Sequence, residues 1–304
     1  MIKYLKHHQI DKALWDETIK NASNGIIYGY SWYLDIVCKN WEAMVATDYT
    51  VVMPITRGRK YLMDYIYPPF FIQQLGVFSI QPISSELCNL FLNSIPTVFR
   101  YIEMNLHSTN IWIPDSFSSK QNKNHILDLD VDYQSIWNNY SENHQRNLKK
   151  ARKNNLHIFK SANANDVITL FRNNRGRFLV NLQNEHYAML NELVDAAATR
   201  NMSKVWIVNN QYGIPLAGAV FFESHQSGIF IFSGVSGEGK SLSAMHFLID
   251  EYIQQNSNRL KTLDFEGSND PELARFYKGF GSSEFVYLQI RKNQLPPPWK
   301  WFKN

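Results

Sequence analysis

Gly234-Val235-Ser236-Gly237-Glu238-Gly239-Lys240-Ser241 lies between an apolar run at 228–233, patterned as a strand, and a stretch at 242–254 with helical spacing. The string satisfies G-x-x-x-x-G-K-[ST] in the strand–turn–helix context that such a motif requires. A turn of this kind offers backbone N–H groups and a helix N-terminus to phosphate oxygens. Three readings stay open: a phosphate-binding turn, an NTPase loop, and a plain flexible turn. Too little chain follows Ser241 to build the remaining sheet of an NTPase domain, and Leu263-Asp264 is already the next strand. The candidate phosphate contacts are Gly234, Gly237, Gly239, Lys240 and Ser241.

Beyond this turn the pattern predicts a strand at 260–265, a helix at 271–279 and a strand at 284–290. Asp264 and Glu266 fall on the same side of the strand exit, where two carboxylates can act as general base or hold an amine. The alternative makes Asp264 a buried hydrogen-bond partner and assigns Ser268, Asn269 or Asp270 to capping the next helix. Tyr277 carries a hydroxyl able to protonate a leaving group, or it simply packs.

Upstream, helices are expected at 12–20, 31–37, 84–93, 132–155 and 186–199, and strands at 50–55, 100–106, 204–209 and 215–223. Pro68-Pro69 makes 65–71 an edge or an extended loop. A strand, Gly-bearing loop, helix and strand over 71–106 recur in the same order over 228–265. An offset of about half the chain suggests duplicated α/β domains, 1–129 and 130–304.

In the helix at 132–155, Trp137, Tyr140, His144, Leu148 and Ala151 build one face. Arg146, Lys149, Lys150 and Lys153 form a basic stripe opposite. That stripe reads as a solvated face, as a contact for a phosphate-bearing substrate, or as a contact for the acceptor stem of an aminoacyl-tRNA. The aromatics around Tyr30, Trp32 and Tyr67 read as core or as the lining of an acceptor-substrate cleft.

Composition narrows the classes. The 304 residues carry 31 Lys+Arg against 27 Asp+Glu, so a net charge of +4 gives no strong field for nucleic acid. Hydrophobic residues at 44% exclude a disordered chain. Two cysteines, Cys38 and Cys88, read as reduced buried thiols. The N-terminus has no apolar signal region and no apolar run is long enough to span a bilayer, so a soluble cytoplasmic protein without membrane insertion is expected. The nine His form no H-E-x-x-H or Cys/His cluster, so no metal is expected.

The order strand, Gly-rich turn, helix, strand, followed by Asn269, Ala274, Tyr277 and Gly279-Phe280, resembles the last part of the GNAT (Gcn5-related N-acetyltransferase) fold. The segments 263–268 and 275–281, with the basic helix Gln145-Arg146-Asn147-Leu148-Lys149-Lys150-Ala151, are similar to the Fem-type subgroup of tandem-domain acyl- and aminoacyltransferases. The likeness covers about 130–290, and the first half more loosely through the repeat. It implies a mixed α/β sheet with flanking helices in two tandem acyl-CoA N-acyltransferase-like domains, the donor site in the second. It further implies acyl transfer from acyl-CoA or an aminoacyl donor to a primary amine of a small molecule or cell-envelope precursor. Tyr277 would protonate the leaving group, Glu266 or Asp264 would take the amine proton, and Tyr30, Trp32, Tyr67 and Arg146 would contact the acceptor. Two departures stand out: the turn is not Q/R-x-x-G-x-G/A, and Fem-type enzymes commonly have Lys where Tyr277 stands. A catalytically degenerate binding module of the same fold, and a P-loop-type nucleotide binder, are the competing classes.

Overall fold

The computed structural model describes residues 1–178, 182–267 and 269–297. Ser268, a capping candidate above, lies outside the described residues. The chain forms two compact units, Met1–Asn122 with the stretch from Val286 onward, and Lys123–Phe285. A cut at 129/130 would fall inside the second unit, because the strand ending there is already paired with that unit's sheet at Ile126.

The first unit runs β1 (Ile2–Leu5), α1 (Lys12–Asn21), α2 (Ser31–Val37), β2 (Glu42–Ala46), β3 (Val51–Ile55), β4 (Arg57–Lys60), β5 (Met63–Ile66), β6 (Phe78–Ser79), α3 (Ser85–Asn93) and β7 (Phe99–Asn105). Strands β1-β2-β3-β6 form one antiparallel sheet. Strand β5 pairs antiparallel with β4 and parallel with β7, α3 making the crossover. Helix α3 starts where Ser84 Oγ accepts from Leu87 N, and it buries Cys88, Phe91 and Leu92. The repeat was expected to begin at 71–79; its first arm is instead β5. Phe71 has a left-handed φ of 60°, and only Phe78–Ser79 of that stretch is strand, in the other sheet. Cys38 and Cys88 are buried free thiols.

The second unit begins in β8 (Ser118–Asp128) and continues through α4 (Tyr133–Asn138), α5 (Glu142–Ala151), β9 (His157–Ser161), α6 (Asn165–Arg172), α7 (Asn184–Ala198), β10 (Ser203–Asn209), β11 (Pro215–Ser224), β12 (Ser227–Val235), α8 (Gly237–Ser241), α9 (Ala244–Asn256), β13 (Thr262–Asp264) and α10 (Pro271–Lys278). The last strand, β14 (Ser283–Asn293), returns to the first unit, where it pairs antiparallel with β7. The sheet order is β8-β13-β12-β11-β10-β9, antiparallel except for β12 and β13. Each unit therefore holds one parallel strand–helix–strand crossover.

Two helix boundaries differ from expectation. The helix at 132–155 is two, because Ser141 Oγ accepts from His144 N and starts α5 afresh. His144, Leu148 and Ala151 still form its buried face, and Lys149 and Lys150 are exposed. The helix at 242–254 starts at Ala244, after Ser243 has taken a left-handed φ of 59°. Its core side carries Tyr252, whose ring stacks on Phe221 at 3.7 Å and 3°. Among the described residues no helix is long and apolar enough to cross a membrane.

Candidate active site

A cavity of about 390 Å³ opens in the second unit where β12 ends. Its walls come from α6 and the turn after it, the end of β12, the α8–α9 junction and one face of α10. Phe171, Phe230, Met245, Leu273 and Phe276 make most of it apolar. Lys240 and Arg175 supply the charges, and Tyr277, Ser233 and Ser243 supply the hydroxyls.

Of the sequence candidates, the cavity gathers Gly234, Gly239, Lys240 and Tyr277. Gly237, Ser241, Asp264, Glu266 and Arg146 are not among its lining residues. The glycine string folds as the end of β12 plus a five-residue helix rather than as an open loop. Ser236 Oγ caps that helix by accepting from Gly239 N at 2.9 Å. Two of the glycines also have a packing reason. A Cβ at Gly239 would stand 2.2 Å from Leu216 O, and one at Gly234 would stand 2.5 Å from Phe171 N. Gly237 alone of the three faces open space.

Helix α10 begins where Asp270 Oδ1 accepts from Glu272 N, with Pro271 pre-set for the first turn. It places Leu273, Phe276 and Tyr277 on the cavity side. The Tyr277 ring stacks on Phe265 at 4.8 Å and 14°, and burial pushes its hydroxyl up to about 12. The phenol therefore stays protonated at neutral pH, available as a donor.

Asp264 is buried and accepts from Asn124 Nδ2 at 2.9 Å and from Glu266 N at 2.7 Å. Burial raises it to about 6 in spite of those donors. Strand alternation turns its side chain away from Leu263 and Phe265, which face the core. Glu266 is half-buried, with a left-handed φ of 54°, and burial raises it to about 8. Both carboxylates act on Tyr277 electrostatically.

One cluster at the cavity wall has no counterpart among the sequence candidates. Ser243 Oγ donates to Asn147 Oδ1 at 3.3 Å, and Asn147 Nδ2 donates to His246 Nε2 at 3.2 Å. His246 lines the cavity, and its ring lies 4.7 Å from that of buried His144. Burial lowers both imidazoles to about 4, so both are neutral at pH 7. Arg175, on a 3-10 turn after α6, was likewise not anticipated; it pairs with Asp270 Oδ2 at 3.3 Å. No local motif marks either feature, since their members lie far apart in the chain.

Tyr30 is buried, Trp32 half-buried and Tyr67 half-buried, all in the first unit. Trp32 stacks on Tyr30 at 6.3 Å, and Tyr67 borders a small cavity with Thr56 and Met104. Arg146 is exposed on α5.

No protein-family model matches the chain, and no curated protein matches it by sequence. Solved structures do. FemX superposes with a TM-score of 0.73 at 13% identity, over 99% of each chain. The C-terminal domain of a putative lysylphosphatidylglycerol synthetase from Agrobacterium fabrum gives 0.58 at 9% identity, over 96% of this chain and 93% of that one. L-PGS from Bacillus licheniformis gives 0.54 at 9%, over 96% and 94%. The chain thus shares the fold of FemX, a mixed α/β architecture in two compact units.

Proposed function

We propose that the chain transfers an acyl or aminoacyl group from an activated thioester or ester donor, acyl-CoA or an aminoacyl-tRNA, to a primary amine of a small molecule or cell-envelope precursor. The observation that carries this reading is Tyr277, a protonated phenol in the wall of an apolar cavity that also holds two cations. The fold shared with proteins named FemX and lysylphosphatidylglycerol synthetase supports it.

In this reading the apolar walls hold the acyl portion, and Lys240 and Arg175 attract the donor's phosphates. The amine nitrogen attacks the carbonyl carbon, a C–N bond forms and the C–S or C–O bond breaks. The departing thiolate or alkoxide takes a proton from Tyr277 Oη. The proton lost by the amine passes through water to Glu266, whose raised value suits it to hold that proton. Holding the two reactants together supplies much of the rate, with no covalent enzyme intermediate. Protection of the folded chain by acyl-CoA or aminoacyl-tRNA in a thermal-shift series tests the reading.

A pH dependence follows from Glu266. A base must be ionised, so kcat/KM is expected to rise as pH climbs through about 8, and Glu266→Gln should remove that limb together with most of the rate. The sign for stability is opposite. A carboxylate whose folded value is raised binds its proton more tightly in the folded chain, so stability is full below about pH 4.3 and falls as pH rises toward 8. Melting curves of the Gln variant should lose that decline; a rate profile identical to the parent's would remove Glu266 from the reaction.

A further inference from the structure

Helix α10 has a second face, turned away from the cavity. Ala274, Arg275 and Lys278 border a separate open cleft of about 420 Å³, closed on its other sides by Lys123, Asn269 and Glu284. Every lining residue belongs to the second unit.

Charge in this cleft is unbalanced. Lys123 Nζ meets Glu284 Oε1 at 3.0 Å, and Lys278 Nζ meets Glu284 Oε2 at 2.8 Å, so one carboxylate serves two ammonium groups. Arg275 has no ion-pair partner among the described residues, which leaves three cations against one anion. The two lysines hold Glu284 down to about 2, so it stays ionised at any working pH.

The wall carrying Lys123 is pinned. Asn269 Oδ1 accepts from Lys123 N at 3.2 Å. Gly267, at a left-handed φ of 48°, lets the turn lie where a Cβ would stand 2.1 Å from Lys123 O. Beneath lies His125, fully buried, with neither ring nitrogen hydrogen-bonded among the described residues. Its strongest neighbouring charges are Lys278, Glu284 and Lys123, all of the cleft.

We infer that this cleft binds a phosphate- or pyrophosphate-bearing molecule between Arg275, Lys278 and Lys123, at a site distinct from the acyl-transfer cavity. A surplus of two positive charges matches a phosphate group, which carries close to two negative charges at neutral pH, better than it matches a single carboxylate. Arg275 supplies the planar fork suited to phosphate oxygens. Glu284 acts as a built-in competitor that occupies both lysines when the cleft is empty.

Removing the competitor should strengthen anion binding. Titration calorimetry of the full chain with inorganic pyrophosphate should give saturable binding. In Glu284→Gln it should tighten about tenfold, the repulsion of a dianion by a carboxylate roughly 6 Å away. Arg275→Gln and Lys278→Gln should each weaken it about tenfold, and binding should fall with added salt. Tyr277→Phe should leave the affinity unchanged, because that ring serves the other face of the helix. Parallel arms with ADP and glucose 1-phosphate identify a nucleotide or a sugar phosphate as the natural source, according to which binds more tightly. If Glu284→Gln unfolds, the Arg275 and Lys278 variants decide the matter. Absence of pyrophosphate binding in the parent and in Glu284→Gln, or affinity indifferent to Arg275 and Lys278, overturns the inference; loss on Tyr277→Phe would place the anion in the cavity instead.

Discussion

Tyr277→Phe is expected to lower turnover about a hundredfold or more while leaving donor affinity nearly unchanged. The substitution removes one hydroxyl and keeps the ring, so the stack on Phe265 and the cavity wall persist. What is lost is the proton for the leaving group, which an apolar cavity offers few other ways to deliver. Lys240 and Arg175 are charge partners for the donor and cannot replace a neutral acid of fitting reach. The split between turnover and binding separates this role from a packing role, which would move the melting temperature first. Steady-state release of free thiol or alcohol, with calorimetric donor affinity beside it, measures both, and unchanged turnover would take Tyr277 out of the mechanism.

Asp250→Ala should cost the second unit about 2–4 kcal/mol, the cost of leaving two tyrosine hydroxyls without their acceptor. Asp250 is fully buried on α9 and accepts from Tyr133 at 2.8 Å, Tyr140 at 3.1 Å and Arg152 at 2.9 Å. These donors come from α4, from the segment before α5 and from the end of α5, so one carboxylate ties three parts of the chain to α9. Burial raises its pKa, and the tyrosine and arginine donors work against that rise. Removing it leaves the buried Tyr140 hydroxyl and the half-buried Tyr133 hydroxyl without their acceptor, whereas the exposed Arg152 guanidinium reaches water. For a unit of this size the loss corresponds to a melting temperature lower by roughly 10 °C. Asp250→Asn, which keeps one acceptor oxygen, should lose less. A shift under about 1 kcal/mol in chemical denaturation would mean that the buried carboxylate and its donors only cancel each other.

Much of the framework was legible in the sequence, and the gaps have physical causes. Helix α2 falls on the expected residues, and α3, α10 and β10 to β12 lie within a residue or two, because their apolar spacing is regular and their ends carry caps or turns. Strand β8, Ser-Ser-Lys-Gln-Asn-Lys-Asn-His-Ile-Leu-Asp, was not anticipated: most of its side chains are polar, and pairing supplied by neighbouring strands holds it. Helix α6 was missed as a short segment whose burial comes from packing on β11 and β12. At the site, local order sufficed to bring Gly234, Gly239, Lys240 and Tyr277 to one cavity. It could not show that Gly239 is small because Leu216 passes against it, nor that Asn147 and His246 meet across two helices. Those are facts of packing between distant segments, which periodicity does not encode.

An acyl or aminoacyl donor is expected to bind in the cavity of the second unit. Thermal unfolding of the full chain against acetyl-CoA, longer acyl-CoAs, an aminoacyl-tRNA and Mg-ATP, with Lys240→Gln run alongside, measures that binding. At least one acyl or aminoacyl donor should raise the melting temperature, and Lys240→Gln should reduce the gain. A rise with Mg-ATP alone, or no protection by any acyl or aminoacyl donor, would contradict it.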